Sequence, residues 1–330
     1  MLADPGKSVR YLAGRAVWQA STTYRGGEGK TDAKDARVIV DQSRMRGSDL
    51  PVLHPDDDLI TELRMLTAHR ADLVADRTRT INRLRQQLVA VCPALERAAQ
   101  LTQDRGWAVL LSRYQRPKAI RQSCLSRLIR ILADAGVRNA PSIAAAAVAA
   151  AKTQTVRLPG EQVAAGLVAE LAQGVIALDE RIKTTDADIE GRFRRHPLAE
   201  VITSLPGMGC RLGAEFLAAV GDNALIGSAD QLAAWAGLAP VSRDSGKRTG
   251  RLHTPRRYSR RLRRVMYMSA LTAIRCDPAR VYYQRKRDQC RRPIPATICL
   301  ARRRTNVLYA LIRDNRTWQP DSPQITESAA

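Results

Sequence analysis

The feature that most limits how this chain can fold is a stripe of apolar or long-stemmed residues. Leu59, Leu63, Leu66, Arg70, Leu73, Arg77, Ile81, Leu84, Leu88 and Val91 follow one another in steps of three and four. That rhythm keeps one face of a helix continuous and is the spacing of a coiled-coil seam. At about 1.5 Å per residue, the helix it predicts reaches about 50 Å. A second stripe, Leu167, Leu171, Leu178, Ile182, Ile189 and Phe193, predicts a helix ending before Pro197. The two can pair as an antiparallel hairpin or dimerise, and an ordinary helical bundle is the alternative. Between them, 125–135 and the alanine-rich 143–151 read as shorter helices.

Composition narrows the class further. Hydrophobic residues make up 45% of the 330, enough for a packed core, so the net charge of +22 belongs to folded surfaces. The longest apolar run, Ile143 to Ala151, is too short to span a bilayer, and Asp4 and Pro5 interrupt the start where an export signal needs apolar sequence. No membrane partner is expected, and the cytoplasm is the expected compartment. Six scattered cysteines without a C-x-x-C pair read as reduced thiols, mostly buried, and exclude a zinc site of the usual spacing.

The charge is also unevenly placed. Residues 241–317 hold 22 Lys/Arg against four acids, so 18 of the +22 lies there. A one-signed block attracts polyanions, and nucleic acid is the expected partner. Within it, Pro255 to Leu271 places Arg256, Arg257, Arg260, Arg261, Arg263 and Arg264 beside an apolar face, predicting an amphipathic helix that lies along a sugar-phosphate backbone. The segment Ala301 to Leu311 reads the same way. Only two Phe occur, so no stacking platform for single strands is evident.

Three segments offer candidate chemistry or recognition. Near the N-terminus, short β-leaning pieces (9–12 and 16–21) precede a turn at 25–29 and a helix starting at Thr31 or Asp32. Asp32 and Asp35 share a face of that helix, so they can present two carboxylates to a divalent metal, or simply cap the helix and complement its dipole. Next, Leu205-Pro206-Gly207-Met208-Gly209 followed by 211–217 has the form of a helix-hairpin-helix, with Gly207 and Gly209 letting backbone approach a phosphate; a purely structural turn is the alternative. Finally, Ser245 lies beside Gly246 among Arg243, Lys247 and Arg248, where a hydroxyl could attack a phosphodiester while cations hold its charge. Ser-Gly in a basic loop can equally be a turn or a phosphate contact, and Tyr258 and Tyr267 are alternative nucleophiles.

Taken together, GKTDAKDA, RTRTINRLR, LPGMG, WAGLAPVSRDSGKRTGRLHTPRRYSRRLRR and CLARRRTNVLYALIRD resemble, in order and over nearly the whole chain, the IS-one-ten family of insertion-sequence transposases. The resemblance implies a mainly α protein with a partial RuvC-like (ribonuclease-H-like) α/β remnant at 1–56 and a helical coiled-coil stalk at 57–196. A C-terminal transposase domain at 197–317 and a disordered tail at 318–330 complete the expected organisation. It further implies a nucleoid-associated DNA recombinase, guided by a structured RNA and working as a dimer or tetramer.

Position by position, Asp32 and Asp35 match the last two acids of the family's four-carboxylate magnesium site, and Ser245 matches its nucleophilic serine. Nothing before Asp32 matches the other two acids: Asp4 stands too near the start and Glu28 lies in the turn. The chain is therefore expected to be a truncated copy, or to have its start placed too late, and to be catalytically impaired. A non-catalytic DNA- or RNA-binding remnant of such a transposase is the alternative function.

Overall fold

A computed structural model describes residues 9–10, 12, 14–24, 29, 31–47, 52–53, 58–154, 156, 159–221, 227–242, 250, 252–289 and 291–319. The protein is mainly α-helical. Two helices organise it, α3 (Asp58–Val91) and α9 (Glu161–Phe193). They pack side by side and run antiparallel, because partners that advance along α3 retreat along α9: Glu62 pairs with Arg192, Arg70 with Asp186, and Arg77 with Asp179.

The α3 stripe is the one the sequence predicts. Leu63, Leu73, Ile81, Leu84 and Leu88 are buried, and Arg70 and Arg77 occupy stripe positions half-buried against their aspartates. A stripe arginine is tolerated because its stem covers apolar surface while its head meets a carboxylate on the facing helix. In α9 the expected stripe is displaced over its first half. Leu167 is 41% exposed, and Ala165, Val168, Ala172 and Val175 face inward instead. Small side chains there let the two backbones approach closely, as where Thr80 lies against Gly174. By length and composition α9 could cross a membrane, but α3 occupies its apolar side.

Each end of this pair enters a separate core. The first half of α9 and the second half of α3 close over a lobe built from α4 (Pro93–Ala98), α5 (Arg105–Arg113), α6 (Pro117–Gln122), α7 (Leu125–Asp134) and α8 (Ala140–Lys152), with Trp107, Leu110, Ile120, Leu128 and Leu132 inside. At the other end, Leu63, Ile189 and Phe193 join the core of α10 (Ala199–Ser204), α11 (Cys210–Val220), α12 (Ala229–Trp235), α13 (Arg260–Ala273), α14 (Asp277–Asp288) and α15 (Pro293–Arg313). Phe193 and Phe216, the only two Phe in the chain, are both fully buried in this second core. Asp186 ties pair and core together, since it meets Arg70 of α3 and, at 3.6 Å, Arg211 in the first turn of α11.

Before α3, β1 (Val9–Arg10) pairs antiparallel with β2 (Val52–Leu53), and α1 (Gly14–Ser21) packs on α2 (Asp32–Arg46). The expected β-leaning piece at 16–21 is therefore a helix. Its alanines favour helix, and the Ser21 hydroxyl donates back to the Trp18 carbonyl at 2.7 Å to finish the last turn. Cysteine burial also differs from expectation: of the five described cysteines only Cys92 is buried. Cys124 and Cys276 stand at the N-caps of α7 and α14, surface positions with a helix end to satisfy.

Candidate nucleic-acid interface

The basic residues singled out from sequence gather around α13. Ser259 caps this helix by accepting from the Leu262 amide at 3.2 Å, and Leu262, Val265, Met266, Ser269, Ala270 and Ala273 face the core. That rotation turns Arg260 and Arg264 outward, with Arg256 and Arg257 exposed on the bend just before. Among the described residues Arg256, Arg257, Arg260 and Arg261 have no acidic partner. They are the cations available to a polyanion.

Arg263 and Arg264 are already engaged. Arg263 lies over the Tyr258 ring at 4.8 Å and donates to the Gly237 carbonyl at 2.8 Å, while Arg264 pairs with Glu215, a mostly buried acid of α11. Gly237 has φ +67, and a Cβ there would stand 2.5 Å from Cγ of Tyr258, so only glycine lets this ring lie on the backbone. The Ser259 amide donates to the Trp235 carbonyl at 2.8 Å. The Trp235 to Gly237 turn and the start of α13 are thus clasped together.

This clasp lies beside β3 (Val241–Ser242), which pairs antiparallel with β4 (Leu252–His253). Residues 243–251 join the two strands in sequence. Ser245, Arg243, Lys247 and Arg248 fall there, outside the described residues. The frame around it is a pair of exposed antiparallel strands that follows the Trp235 to Gly237 turn and precedes α13 in the chain.

The glycine pair occupies a turn between α10 and α11, and its two members differ. Gly207 has φ +82 and packs on α13, where an added Cβ would meet the Ser269 carbonyl oxygen at 2.7 Å. Gly209 precedes α11 with φ −81 and open space where its Cβ would be. Gly207 therefore holds the turn against the protein, and Gly209 is the one with room for an approaching ligand. Behind the turn, Arg304 of α15 is only 6% exposed. It donates to the Ser269 hydroxyl (2.8 and 3.1 Å) and to the Pro206 carbonyl. Burial pushes its pKa down to about 10, so it remains charged at neutral pH. The sequence reading placed Arg304 on the charged face of a basic helix, and the structure places it in the core. The signal was present, because 297, 300, 304, 308 and 311 form one helical stripe.

Tyr282 of α14 adds a cluster that sequence reasoning did not assemble. Arg303 (4.8 Å), Arg285 (5.2 Å) and Lys286 (5.6 Å) all approach its ring.

Asp32 and Asp35 stand on an element outside the α10 to α15 region. They lie in the first turn of α2, whose N-cap Thr31 accepts from the Lys34 amide at 3.2 Å, and α2 packs chiefly on α1. Asp32 is exposed and Asp35 half-buried, and neither is drawn into an ion pair among the described residues. No group of three or more His, Cys, Asp or Glu that could hold an ion occurs among the described residues. The two carboxylates are hard oxygen donors of the type magnesium takes, and such an ion would fill the rest of its shell with water and phosphate oxygens.

The arginines before and within α13 belong to the most basic part of this helical protein, and comparison with known proteins makes its class definite. Residues 1–93 match a family described as transposase, and residues 199–284 match one described as the IS116/IS110/IS902 transposase family. The chain is 51% identical over its full length to an uncharacterized 44.8 kDa protein of insertion element IS116 from Streptomyces clavuligerus, covering 82% of that protein. It is 51% identical over 97% of its length to the 42 kDa protein of IS900 from Mycobacterium paratuberculosis, covering 80% of it, and 37% identical over 99% to the 43.6 kDa protein of IS110 from Streptomyces coelicolor, covering 81%. The chain belongs to the IS116/IS110/IS902 family of insertion-element transposases.

Proposed function

We propose that this chain is a DNA recombinase that cuts and rejoins strands through Ser245, with Asp32 and Asp35 contributing to a magnesium site and a structured RNA supplying target choice. The observation that supports it best is the frame just described. The segment bearing Ser245 joins two paired strands that are followed in the chain by Arg256, Arg257 and Arg260, in the most basic part of a transposase-family chain. In this reading the Ser245 hydroxyl loses its proton as its oxygen bonds to phosphorus. The bond from phosphorus to one deoxyribose oxygen breaks, and that oxygen takes up a proton. A new strand end reverses the exchange, so the phosphodiester energy is kept in the serine ester.

The arginines neutralise charge on the transferring phosphate, Gly207 and Gly209 belong to a helix-hairpin-helix that meets the DNA backbone, and Asp32 and Asp35 would help hold a magnesium ion, which would supply further positive charge for phosphoryl transfer. In this reading the two carboxylates and the serine meet in an assembly of two or more copies on DNA. The α3–α9 pair serves as the stalk of that assembly, coiled-coil-like in its spacing, and the protein works in the cytoplasm on the nucleoid.

Replacing Ser245 by alanine tests this directly. Strand exchange on a plasmid carrying the element's ends should fall at least about a thousandfold, as removal of a nucleophile does, with DNA affinity nearly unchanged. Strand exchange surviving in Ser245→Ala would overturn the assignment. Retained binding with no exchange in either protein would leave a DNA-binding remnant.

A further inference from the structure

The lobe at the far end of the helix pair carries a second basic surface. Between Arg105 and Lys152, the span of α5 to α8, there are nine Lys/Arg and one acid, Asp134. Together with residues 241–317 this accounts for more than the whole net charge, so the other 205 residues carry four more acids than bases. The charge of the molecule is thus concentrated at two ends, and the stalk between them is close to neutral.

Two of the nine cations are used within the fold. Arg105 pairs with Glu180 at 2.8 Å, and Arg121 donates to the carbonyls of Ala151 (2.7 Å) and Gln154. The other seven are exposed, and none has an acidic partner among the described residues. Arg113, Arg116, Lys118, Arg127 and Arg130 fall within eighteen consecutive residues that turn twice around buried Ile120 and Leu128. On α7, Arg127 and Arg130 share the face opposite buried Leu128 and Leu132.

A surface kept only for solubility mixes both signs, because like charges repel one another and cost stability. Here the repulsion is concentrated on a small lobe, with nine cations against one acid in its span. We propose that the α5–α8 lobe is a second nucleic-acid contact, gripping a sugar-phosphate backbone through Arg113, Arg116, Lys118, Arg127 and Arg130. Leu63 belongs to one core and Leu84 to the other, about 32 Å apart along α3 at 1.5 Å per residue. One turn of B-form duplex is about 34–36 Å, so a single duplex can reach both ends. The inference rests on the protein's being a nucleic-acid binder, but not on Ser245 chemistry.

The test is the salt dependence of binding, measured on the whole chain with two probes, a linear DNA duplex several turns long and a stem-loop RNA. Each phosphate contact contributes about 0.9 to the slope of log K against log salt on duplex DNA and about 0.7 on single strands. Replacing Arg116, Lys118, Arg127 and Arg130 by glutamine should lower the slope by about 2 or more for at least one probe, and arginine-to-lysine replacements at the three arginines should restore it. A change with RNA alone assigns the lobe to RNA, and a change with duplex alone assigns it to DNA.

An unchanged slope for both probes overturns the inference, and it leaves the proposed function standing if Arg256, Arg257 and Arg260 changed to glutamine do lower the slope. If neither set lowers it, both readings fail. A readout on the unaltered protein guards against misfolding of the variant: Lys118 should be protected from acetylation by bound nucleic acid. Acetylation at the same rate with and without the probes counts against the lobe as an interface.

Discussion

Gly207→Ala is expected to destabilise the protein by about 4 kcal/mol, whereas Gly209→Ala, two residues on, should change stability by no more than about 1 kcal/mol. Two costs combine at Gly207. Its φ of +82 is a left-handed conformation that costs a residue with a Cβ about 1–2 kcal/mol. The new methyl would also press on the Ser269 carbonyl oxygen (2.7 Å) and the Ala273 amide nitrogen (3.1 Å). Both are backbone atoms of α13, whose Ser269, Ala270 and Ala273 are buried, so the helix cannot step aside without disturbing the core, and such overpacking costs about 1–3 kcal/mol. Gly209 has φ −81 and no neighbour in reach, which leaves only the modest preference for glycine over alanine at an N-cap. Urea unfolding of the two variants separates these outcomes. Equal, small effects would mean that the turn is not seated on α13.

Arg304→Ala should also be costly, by about 3–5 kcal/mol, and Arg304→Met should recover about half of that. The alanine variant removes the donor to Ser269 and Pro206, strands their oxygens in the core and opens a cavity the length of the side chain. Methionine refills much of the cavity and abolishes the cost of burying a charge. That cost has a pH signature. The folded-state pKa, about 10, lies below that of a free guanidinium, so the unfolded chain holds the proton more tightly. The penalty is full below pH 10 and is relieved as pH rises above it, where the unfolded state binds more protons than the folded one. Wild type minus Arg304→Met stability should therefore shift in favour of wild type above about pH 10. A flat difference would contradict burial of a charged arginine.

These two residues show what the sequence made legible and what it hid. Periodicity revealed the long helices because Leu63, Leu73, Ile81, Leu84 and Leu88 are large and fall on one helical face. It placed α2 correctly because Thr31 is an N-cap with a hydroxyl to offer. It misplaced the first half of α9, where alanines and valines, not leucines, meet α3: close approach of two helices selects small residues that a search for large ones passes over. Arg304 was hidden for a related reason. In Arg302-Arg303-Arg304 the three side chains are chemically identical, and only the helical phase set by Leu300, Leu308 and Leu311 says which one turns inward.

Of the candidate site, the arginines of α13 were legible, since an apolar stripe at 262, 265, 266, 270 and 273 leaves only one side for them. Which arginines remain free was not legible, because the partners of Arg263 and Arg264 come from Gly237, Tyr258 and Glu215 on other elements. The basic lobe at α5 to α8 was concealed by the larger C-terminal block, and became visible once the antiparallel pair put the two at opposite ends.

The central claim, that strand exchange passes through a serine ester in the segment between β3 and β4, has a direct measurement. The protein is incubated with DNA carrying the element's ends, quenched during reaction, digested with trypsin and nuclease, and the nucleotide-bearing peptide is sequenced by mass spectrometry. The account predicts a nucleotide on Ser245. A nucleotide on Ser242, Tyr258 or Tyr267, or exchange that proceeds with no covalent protein–DNA link, would contradict it.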